Sequence, residues 1–589
     1  MDDLMPVWEL ESIFPGGSGS AELERWLAGL AEELAALQKS TFSSGSTAQW
    51  QQRLERIQDA AARLSEAAAF VSCLCAQDVQ DDRARLLNGR LEQLRAALGG
   101  VMTALDEKML ELGDDRWRRL LEQPEIAPLA FPLAERRNNA RKKMAAFQEK
   151  LVVDLAVDGY HGWSNQYNLI AGRIRIPWEQ QGRQLLLSTG QAANYFADPD
   201  PAVRAAMAER WVRAWADEAE LCASVLNHLG GFRLNLYRHR GWDDILEEPL
   251  TDNRISGETL KVMWAAVEQN RDILREYLRR KQGLLGLQEL SWFDLDAPLG
   301  KVSGEYTYTR ACRFVMEQLA VLCPKMAHFC ATAFQKRWVE GEDRPGKRAG
   351  AFCSSFPVSG QSRVFMTFAG TPANLSTLAH EMGHAYHHQV IADLPFLARR
   401  YPMSVAESAS TFAEMVVADA AVRRAATPEV KIALLDGKLK NGVSYFMDIE
   451  SRFLFESAFY EKRSSGPVGV AELNRLMLAA QDKAYRGSFD RYQPYFWASK
   501  LHFYLTRAPF YNFPYTFGYL FSAGIFALAR ETGSAFEERY IDLLRDTGRM
   551  SVEDLAAKHL GVDLSRPTFW QRAAAVTAAD AAEFLQLTE

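Results

Sequence analysis

Thr377 to Gln389 reads T-L-A-H-E-M-G-H-A-Y-H-H-Q. His380 and His384 are four residues apart, and on an α-helix such residues lie one above the other on one face. Both imidazoles can then reach one metal ion, while Glu381, one residue round, can point at a water on that ion. The chemistry this spacing suits is zinc-assisted hydrolysis with a carboxylate as general base.

A catalytic zinc takes three protein ligands and leaves one position to water. The extended spacing H-E-x-x-H-x-x-G-x-x-H would supply a third histidine. Here its Gly and final His positions hold His387 and Val390, so that class is excluded. The other common choice is a Glu from the next helix. Val405 to Glu414, V-A-E-S-A-S-T-F-A-E, reads as that helix, with Leu394-Pro395 and Pro402 leaving room for a turn before it. Glu407, Ser410/Thr411 and Glu414 share one face at i, i+3/i+4 and i+7. A polar row in an Ala-rich helix points to a buried face with a purpose, and Glu407 is the expected third ligand. Glu414 is placed to accept the free N–H of a ligand histidine. A pair of surface glutamates is the plainer alternative, and the neighbouring H-E-x-x-H weighs against it. With the ligand set filled, His387 and His388 are expected to pack or support rather than ligate. His161, His228, His239, His328 and His559 sit in no motif.

The elements that must hold these groups are mostly helices. At 589 residues the chain is too long for one ordinary core. A 48% hydrophobic and 24% charged composition is that of a soluble globular protein. The net charge of −7 gives no support for nucleic acid or an anionic membrane as partner. No stretch approaches the roughly 18 apolar residues of a membrane span, and Met1 to Pro6 has neither the basic region nor the apolar run of a secretory signal. Seven cysteines without a C-x-x-C are expected to be reduced, buried thiols. The expected compartment is the cytoplasm.

Leu23, Trp26, Leu27, Leu30, Leu34 and Leu37 repeat with helical period, and long helices are predicted over 21–39, 48–77 and 81–112. Three antiparallel helices of this kind pack as a bundle, giving an expected N-terminal domain over 1–115. A connecting helical and hairpin region follows over 116–200, with helix over 138–157, a break at 158–163 and a short hairpin within 169–178. The rest, 201–589, is expected as one catalytic domain, with helices over 201–228, 231–239, 257–283 and 308–340.

Residues 349–370 stand apart. Ala349–Phe356 and Ser362–Phe368 alternate as strands around the turn-like Pro357 to Gln361. Two readings are open for this hairpin beside the motif helix. Its edge could pair with an extended peptide through main-chain hydrogen bonds, or it could simply cover the core. Thr371-Pro372 then supplies a capped helix start.

Further on, His502, Tyr504, Tyr511, Tyr515 and Tyr519 crowd into one short stretch. Tyrosines at i, i+4 and i+8 form a core stripe in most helices, but Pro514 cannot sit mid-helix. A helix start near it could instead project Tyr511 and Tyr515 into a cleft. Amide hydrolysis needs such a group, because the attacked carbonyl becomes an oxyanion that a donor can stabilise by about 3 kcal/mol.

H-E-M-G-H-A-Y-H-H followed by V-A-E-S-A-S-T-F-A-E resembles the zinc oligopeptidases of the thimet oligopeptidase and oligoendopeptidase F family, and its oligoendopeptidase F branch in particular. The likeness extends to Trp292–Pro298, Lys347–Ala351, Phe368–Thr371, Leu501–Tyr504, Pro509–Tyr515 and Gly561–Trp570. It is strong over roughly 200–589 and one of style in the N-terminal helices. The resemblance implies a mainly α, two-lobed helical body enclosing a deep channel, with a small β-hairpin or sheet next to the H-E-x-x-H helix. It implies one Zn²⁺ per chain held by His380, His384 and Glu407, and short unfolded peptides as substrates. It also places His502, Tyr511 and Tyr515 as groups that bind the substrate or steady the oxyanion, with the role of Tyr519 open. The expected activity is endopeptidase cleavage of oligopeptides by a zinc-activated water with Glu381 as base. A zinc dipeptidyl carboxypeptidase or aminopeptidase, or a non-catalytic peptide-binding protein with structural zinc, are the alternatives. Nucleic acid and membrane are not expected as partners, and oligomeric state is not legible.

Overall fold

A computed structural model describes residues 4–40, 46–300 and 306–589. Packing divides the chain into two units of three segments each. The first comprises Met1–Lys143, Gly304–Ala420 and Ile525–Val562. The second comprises Met144–Ser303, Ala421–Gly524 and Asp563–Glu589. Both are built mainly of α-helices, with small sheets, as expected from the helical periodicity.

In the first unit the opening helices run over Ala21–Lys39, Thr47–Gln77 and Asp82–Glu111. Each begins on a polar cap; Ser20 accepts the N–H of Leu23 and Asp81 that of Ala84. Their apolar stripes bury Leu23, Leu27, Leu30, Leu54, Ile57 and Leu87 together with Phe356 and Phe365 of a three-stranded sheet. That sheet has the order β3 (Val339–Glu340), β5 (Gln361–Phe365), β4 (Phe352–Phe356), with β3 parallel and β4 antiparallel to β5. The helices do more than cover it. Buried Glu66 accepts the backbone N–H groups of Val358 (2.9 Å) and Ser359 (3.2 Å) in the β4–β5 turn. Arg348 N–H reaches Ala76 O at 2.9 Å and Val79 N–H reaches Gly346 O at 2.9 Å. The hairpin beside the motif helix is thereby fixed at both ends, with Phe352 paired to Phe365 and Phe356 to Gln361.

The second unit carries a separate hairpin, β1 (Ile176–Gln180) with β2 (Arg183–Leu187). Its turn residues Gln181 (φ 52°) and Gly182 (φ 75°) are both left-handed, the two-residue turn that matches strand twist. The hairpin expected within 169–178 therefore lies further along, because a glutamine in such a turn carries little signal. The break expected at 158–163 is also absent. A π-helical turn, Val157–His161, carries the chain from the Ala146–Ala156 helix directly into Gly162–Arg173, accommodating Gly159 without ending the helix.

Three longer helical expectations divide or merge. The 201–228 span is two helices meeting at Glu218, and the second runs unbroken through 231–239 to Arg240. Gly230 and Gly231 do not punctuate it: a Cβ on either would strike Phe459 (2.8 Å) or Arg463 (2.1 Å), so they serve close packing. The 257–283 span breaks at Asn270, whose amide caps Ala266 O at 2.9 Å. The 308–340 span breaks at Cys323-Pro324, where proline starts a new helix, and gives way to β3 at Val339. Seven free cysteines are present, five of them buried. Among the described residues no helix is long and apolar enough to cross a membrane.

Candidate active site

The motif lies on the Pro372–Val390 helix in the first unit. Thr371 caps it by accepting the Asn374 N–H at 3.2 Å, and Asn374 Oδ1 accepts from Thr371 (3.3 Å) and Ala369 (2.8 Å) in return. This reciprocal cap, with Pro372 at the first helical position, sets where the helix starts. Glu407 and Glu414 lie on the Met403–Arg423 helix. The two helices approach backbone to backbone at Gly383, where a Cβ would lie 2.4 Å from Ala409 O and 2.5 Å from Ser410 Cα. Tyr540 braces the second helix from behind, donating to Ser408 O at 2.9 Å.

This approach brings His380, His384 and Glu407 together, one ligand atom from each lying within 4.8 Å of the others. Glu407 Oε2 is 3.3 Å from His380 Nε2 and 3.6 Å from His384 Nε2. Glu414 Oε2 is 3.1 Å from His380 Nδ1, so the carboxylate accepts the Nδ1–H and Nε2 faces Glu407. Ser410 donates to Glu407 Oε2 at 2.6 Å, holding the carboxylate's rotamer.

The electrostatics follow from burial and crowding. Burial works against charge on His380, but hydrogen bonds and charge from Glu407 and Glu414 outweigh it and raise the imidazole to about 10. Burial favours protonation of Glu407 too, yet its bond to His380, the charges of both histidines and Ser410 hold it down at about 2. Burial lowers His384 to about 4. The cluster thus presents an anionic carboxylate and one neutral imidazole beside a second whose proton a divalent cation would displace. Glu381 is 6% exposed and raised to about 7, chiefly by burial. Its Oε2 is buried with no hydrogen-bond partner among the described residues. An unpartnered buried carboxylate oxygen beside two imidazoles and a carboxylate fits a bound metal with a water on it.

His387 does not face this cluster. It stacks on Tyr401 with ring centroids 4.2 Å apart, and its Nε2 lies 3.0 Å from Thr547 Oγ1 and 3.3 Å from Leu544 O. It ties the motif helix to the chain around 544–547. His388, one turn beyond His384, has Nδ1 3.8 Å from Cys353 Sγ on β4. Burial holds both imidazoles at about 3. His388, Gln389, Ser355, Phe396, Arg399 and Tyr401 line a pocket.

The aromatic segment belongs to the second unit. His502, Tyr511 and Tyr515 come together there: Tyr515 O–H donates to Tyr511 Oη at 3.1 Å, and the His502 ring lies 4.9 Å from Tyr511 and 6.2 Å from Tyr515, centroid to centroid. The helix starts at Phe513, as Pro514 required. Phe510, just before it, is left-handed at φ 51°, a strained conformation for an aromatic residue. Glu456 Oε1 holds that bend by accepting the Phe510 N–H at 3.0 Å. Tyr519 is drawn elsewhere, stacked on Tyr445 at 4.4 Å with its hydroxyl 2.9 Å from Thr577 Oγ1. Sequence reasoning missed Gly383, Tyr540 and Phe510, and also Arg452 and Asn512, which lie 3.2 and 2.7 Å from His502 Nδ1. Only the glycine inside H-E-M-G-H and the asparagine before F-P left a trace that could have found them.

Residues 194–576, well over half of the chain, match peptidase family M3. The chain belongs to peptidase family M3. Residues 108–176 match a domain described as Oligopeptidase F. Among M3 relatives, oligopeptidase PepF of Bacillus subtilis (strain 168) is 23% identical over 576 residues, 95% of this chain and 84% of that protein. The chromosomal oligoendopeptidase F of Lactococcus lactis subsp. cremoris is 25% identical over 340 residues, 57% of this chain and 55% of that protein. The chain spans about half the length of the Lactococcus relatives it matches. Its fold is shared with a solved chain from Chlamydophila abortus (TM-score 0.85, 19% identity, 99% of each chain). Oligoendopeptidase-F of Enterococcus faecium also shares it (TM-score 0.70, 18% identity, 96% of this chain and 99% of that one). The family resemblance read from the motifs therefore holds.

Proposed function

We propose that this M3 protein is a zinc-dependent oligoendopeptidase that cuts internal bonds of short, unfolded peptides. The observation that carries the reading is the Glu381 Oε2 atom, buried and without a partner among the described residues, beside the His380–His384–Glu407 cluster. A structural metal site has no use for a base next to an open coordination position.

His380, His384 and Glu407 would hold the zinc through Nε2, Nε2 and a carboxylate oxygen. When bound, zinc supplies Lewis acidity toward a water and toward the scissile carbonyl. Glu381, poised near neutrality, takes the proton of the attacking water on Oε2 and returns it to the leaving amine. Glu414 keeps the Nδ1 proton of His380, fixing the tautomer that leaves Nε2 for metal. Tyr511 and Tyr515 are proposed to steady the developing oxyanion as a hydrogen-bonded pair, Tyr511 donating while it accepts from Tyr515, and His502 is a proposed substrate contact. β4, which pairs only with β5 among the described residues, offers an edge to an extended peptide. Pairing through the main chain reads no side chain, which suits an enzyme for mixed peptides.

Glu381→Gln tests the proposal. The variant keeps the metal ligands and loses the base, so zinc content should match the parent while cleavage of a short internally quenched peptide falls by about a hundredfold or more. Parent-like turnover in the zinc-loaded variant would remove Glu381 from the chemistry.

A further inference from the structure

Asn512 lies between Tyr511 and the Phe513–Thr532 helix and is 1% exposed. Its Oδ1 is met from two sides, by Arg452 Nη1 at 3.1 Å and by His502 Nδ1 at 2.7 Å. A guanidinium can only donate. The Asn512 atom facing it must be the carbonyl oxygen, and the amide cannot be turned round. Its Nδ2 stays buried with no partner among the described residues, so the orientation is imposed by Arg452 and does not serve the amide itself. Arg452 is in turn held by an ion pair with Asp448, four residues back on the chain.

With Oδ1 fixed as an acceptor, so short a contact requires a proton on His502 Nδ1, because two acceptors brought that close repel. Arg452 Nη1 also lies 3.2 Å from Nδ1, and Nδ1 could in principle accept from it. That arrangement would set lone pair against lone pair across the shorter contact. Two neighbouring N–H groups, both aimed at one oxygen, are an ordinary shared-acceptor geometry. The charged neighbours of His502 are Arg452, Lys500 and Asp448; burial, with the two cations, keeps the imidazole below its usual range despite the Asn512 bond.

We infer that Arg452 and Asn512 are positioning residues that lock neutral His502 in its Nδ1–H tautomer, making Nε2 a hydrogen-bond acceptor. No described residue bonds Nε2. Resting on the peptidase reading above, the consequence is that His502 receives a backbone N–H of the bound peptide. Donation to the oxyanion is left to the tyrosine hydroxyls.

The tautomer can be read whether or not the protein cleaves any peptide. In the full-length chain labelled with ¹⁵N-histidine, a long-range ¹H–¹⁵N spectrum at neutral pH should show His502, assigned by its loss in His502→Gln, with protonated Nδ1 and bare Nε2. Asn512→Leu should move it toward Nε2–H, and Asn512→Asp, which keeps the acceptor, should restore Nδ1–H. Should Asn512→Leu fail to fold, Arg452→Gln, which frees the amide to turn, gives the same reading. An Nε2–H ring in the wild type, or a tautomer indifferent to both substitutions, overturns the inference. The acceptor role is read with a peptide series singly N-methylated along its backbone. One position should lower kcat/KM roughly three- to tenfold in the wild type but not in His502→Ala. No such position means that His502 does not take a substrate N–H.

Discussion

Gly383 faces Ala409 so closely that a Cβ on the glycine would lie 2.4 Å from the alanine's carbonyl oxygen. The obstacle is backbone on a well-packed helix, which cannot swing aside as a side chain would. The distance between the motif helix and the Met403–Arg423 helix is therefore set by the absence of one methyl group. That distance decides whether Glu407 reaches the two histidines. Gly383→Ala must push the helices apart, at a cost of about 1–3 kcal/mol for overpacking. The expected outcome is a lowered Tm together with zinc affinity reduced by about tenfold or more in a chelator competition. Parent-like zinc affinity would mean that the helix spacing does not tune the site.

Glu407 and Glu414 touch His380 on opposite nitrogens, Nε2 at 3.3 Å and Nδ1 at 3.1 Å, and so should fail differently. On the proposed zinc reading, Glu407→Ala removes a ligand and should abolish stoichiometric zinc by elemental analysis. Glu414→Ala removes only the group that orients a ligand, and should keep one zinc per chain while weakening its affinity about 10- to 100-fold. Equal zinc affinity in Glu414→Ala and the parent would reduce the Glu414–His380 contact to packing.

Tyr515 donates its hydroxyl proton to Tyr511 at 3.1 Å, which orients the Tyr511 proton away from the pair. If the pair serves the oxyanion, Tyr515→Phe should depress kcat by about tenfold or more with KM little changed. A change confined to KM would make Tyr515 a binding residue and leave the oxyanion to other donors.

The coming together of His380, His384 and Glu407 was the most legible part of the chain because its logic is periodic. Histidines at i, i+4 and glutamates at i, i+7 state their shared faces outright, and Val390 excluded the rival ligand pattern. The long N-terminal helices were legible for the same reason. The hairpin at Ile176–Leu187 was misplaced because its turn uses Gln181, a residue whose left-handed backbone is set by the strands around it. The unbroken passage through Gly230 and Gly231 depends on what packs against them, Phe459 and Arg463, which arrive from a distant part of the chain. Asn512 and Arg452 escaped for a related reason. Their meaning lies in which atom of an amide faces a guanidinium, and nothing in the order of residues records that.

Glu456 couples the bend at Phe510 to pH. Its Oε1 accepts the Phe510 N–H, its Oε2 is buried without a partner among the described residues, and burial raises its carboxyl to about 7 against the opposing pull of that bond and of Arg233. An acid whose folded value exceeds its unfolded one holds more protons in the native state between the two. Stability should therefore fall as pH rises from about 4.5 through about 7, and stay at the lower level above. Glu450, raised to about 7 mainly by burial, adds to the same trend. Comparison of wild type with Glu456→Gln isolates the single residue, since the amide keeps the Oε1 acceptor and cannot ionise. Above pH 7 the variant should be the more stable, by an amount on the order of a few kcal/mol, and below pH 4.5 the advantage should vanish. Thermal unfolding across that range reads both ends. A difference independent of pH would show that Glu456 does not titrate on folding, and the Phe510 bend would then rest on its hydrogen bond alone.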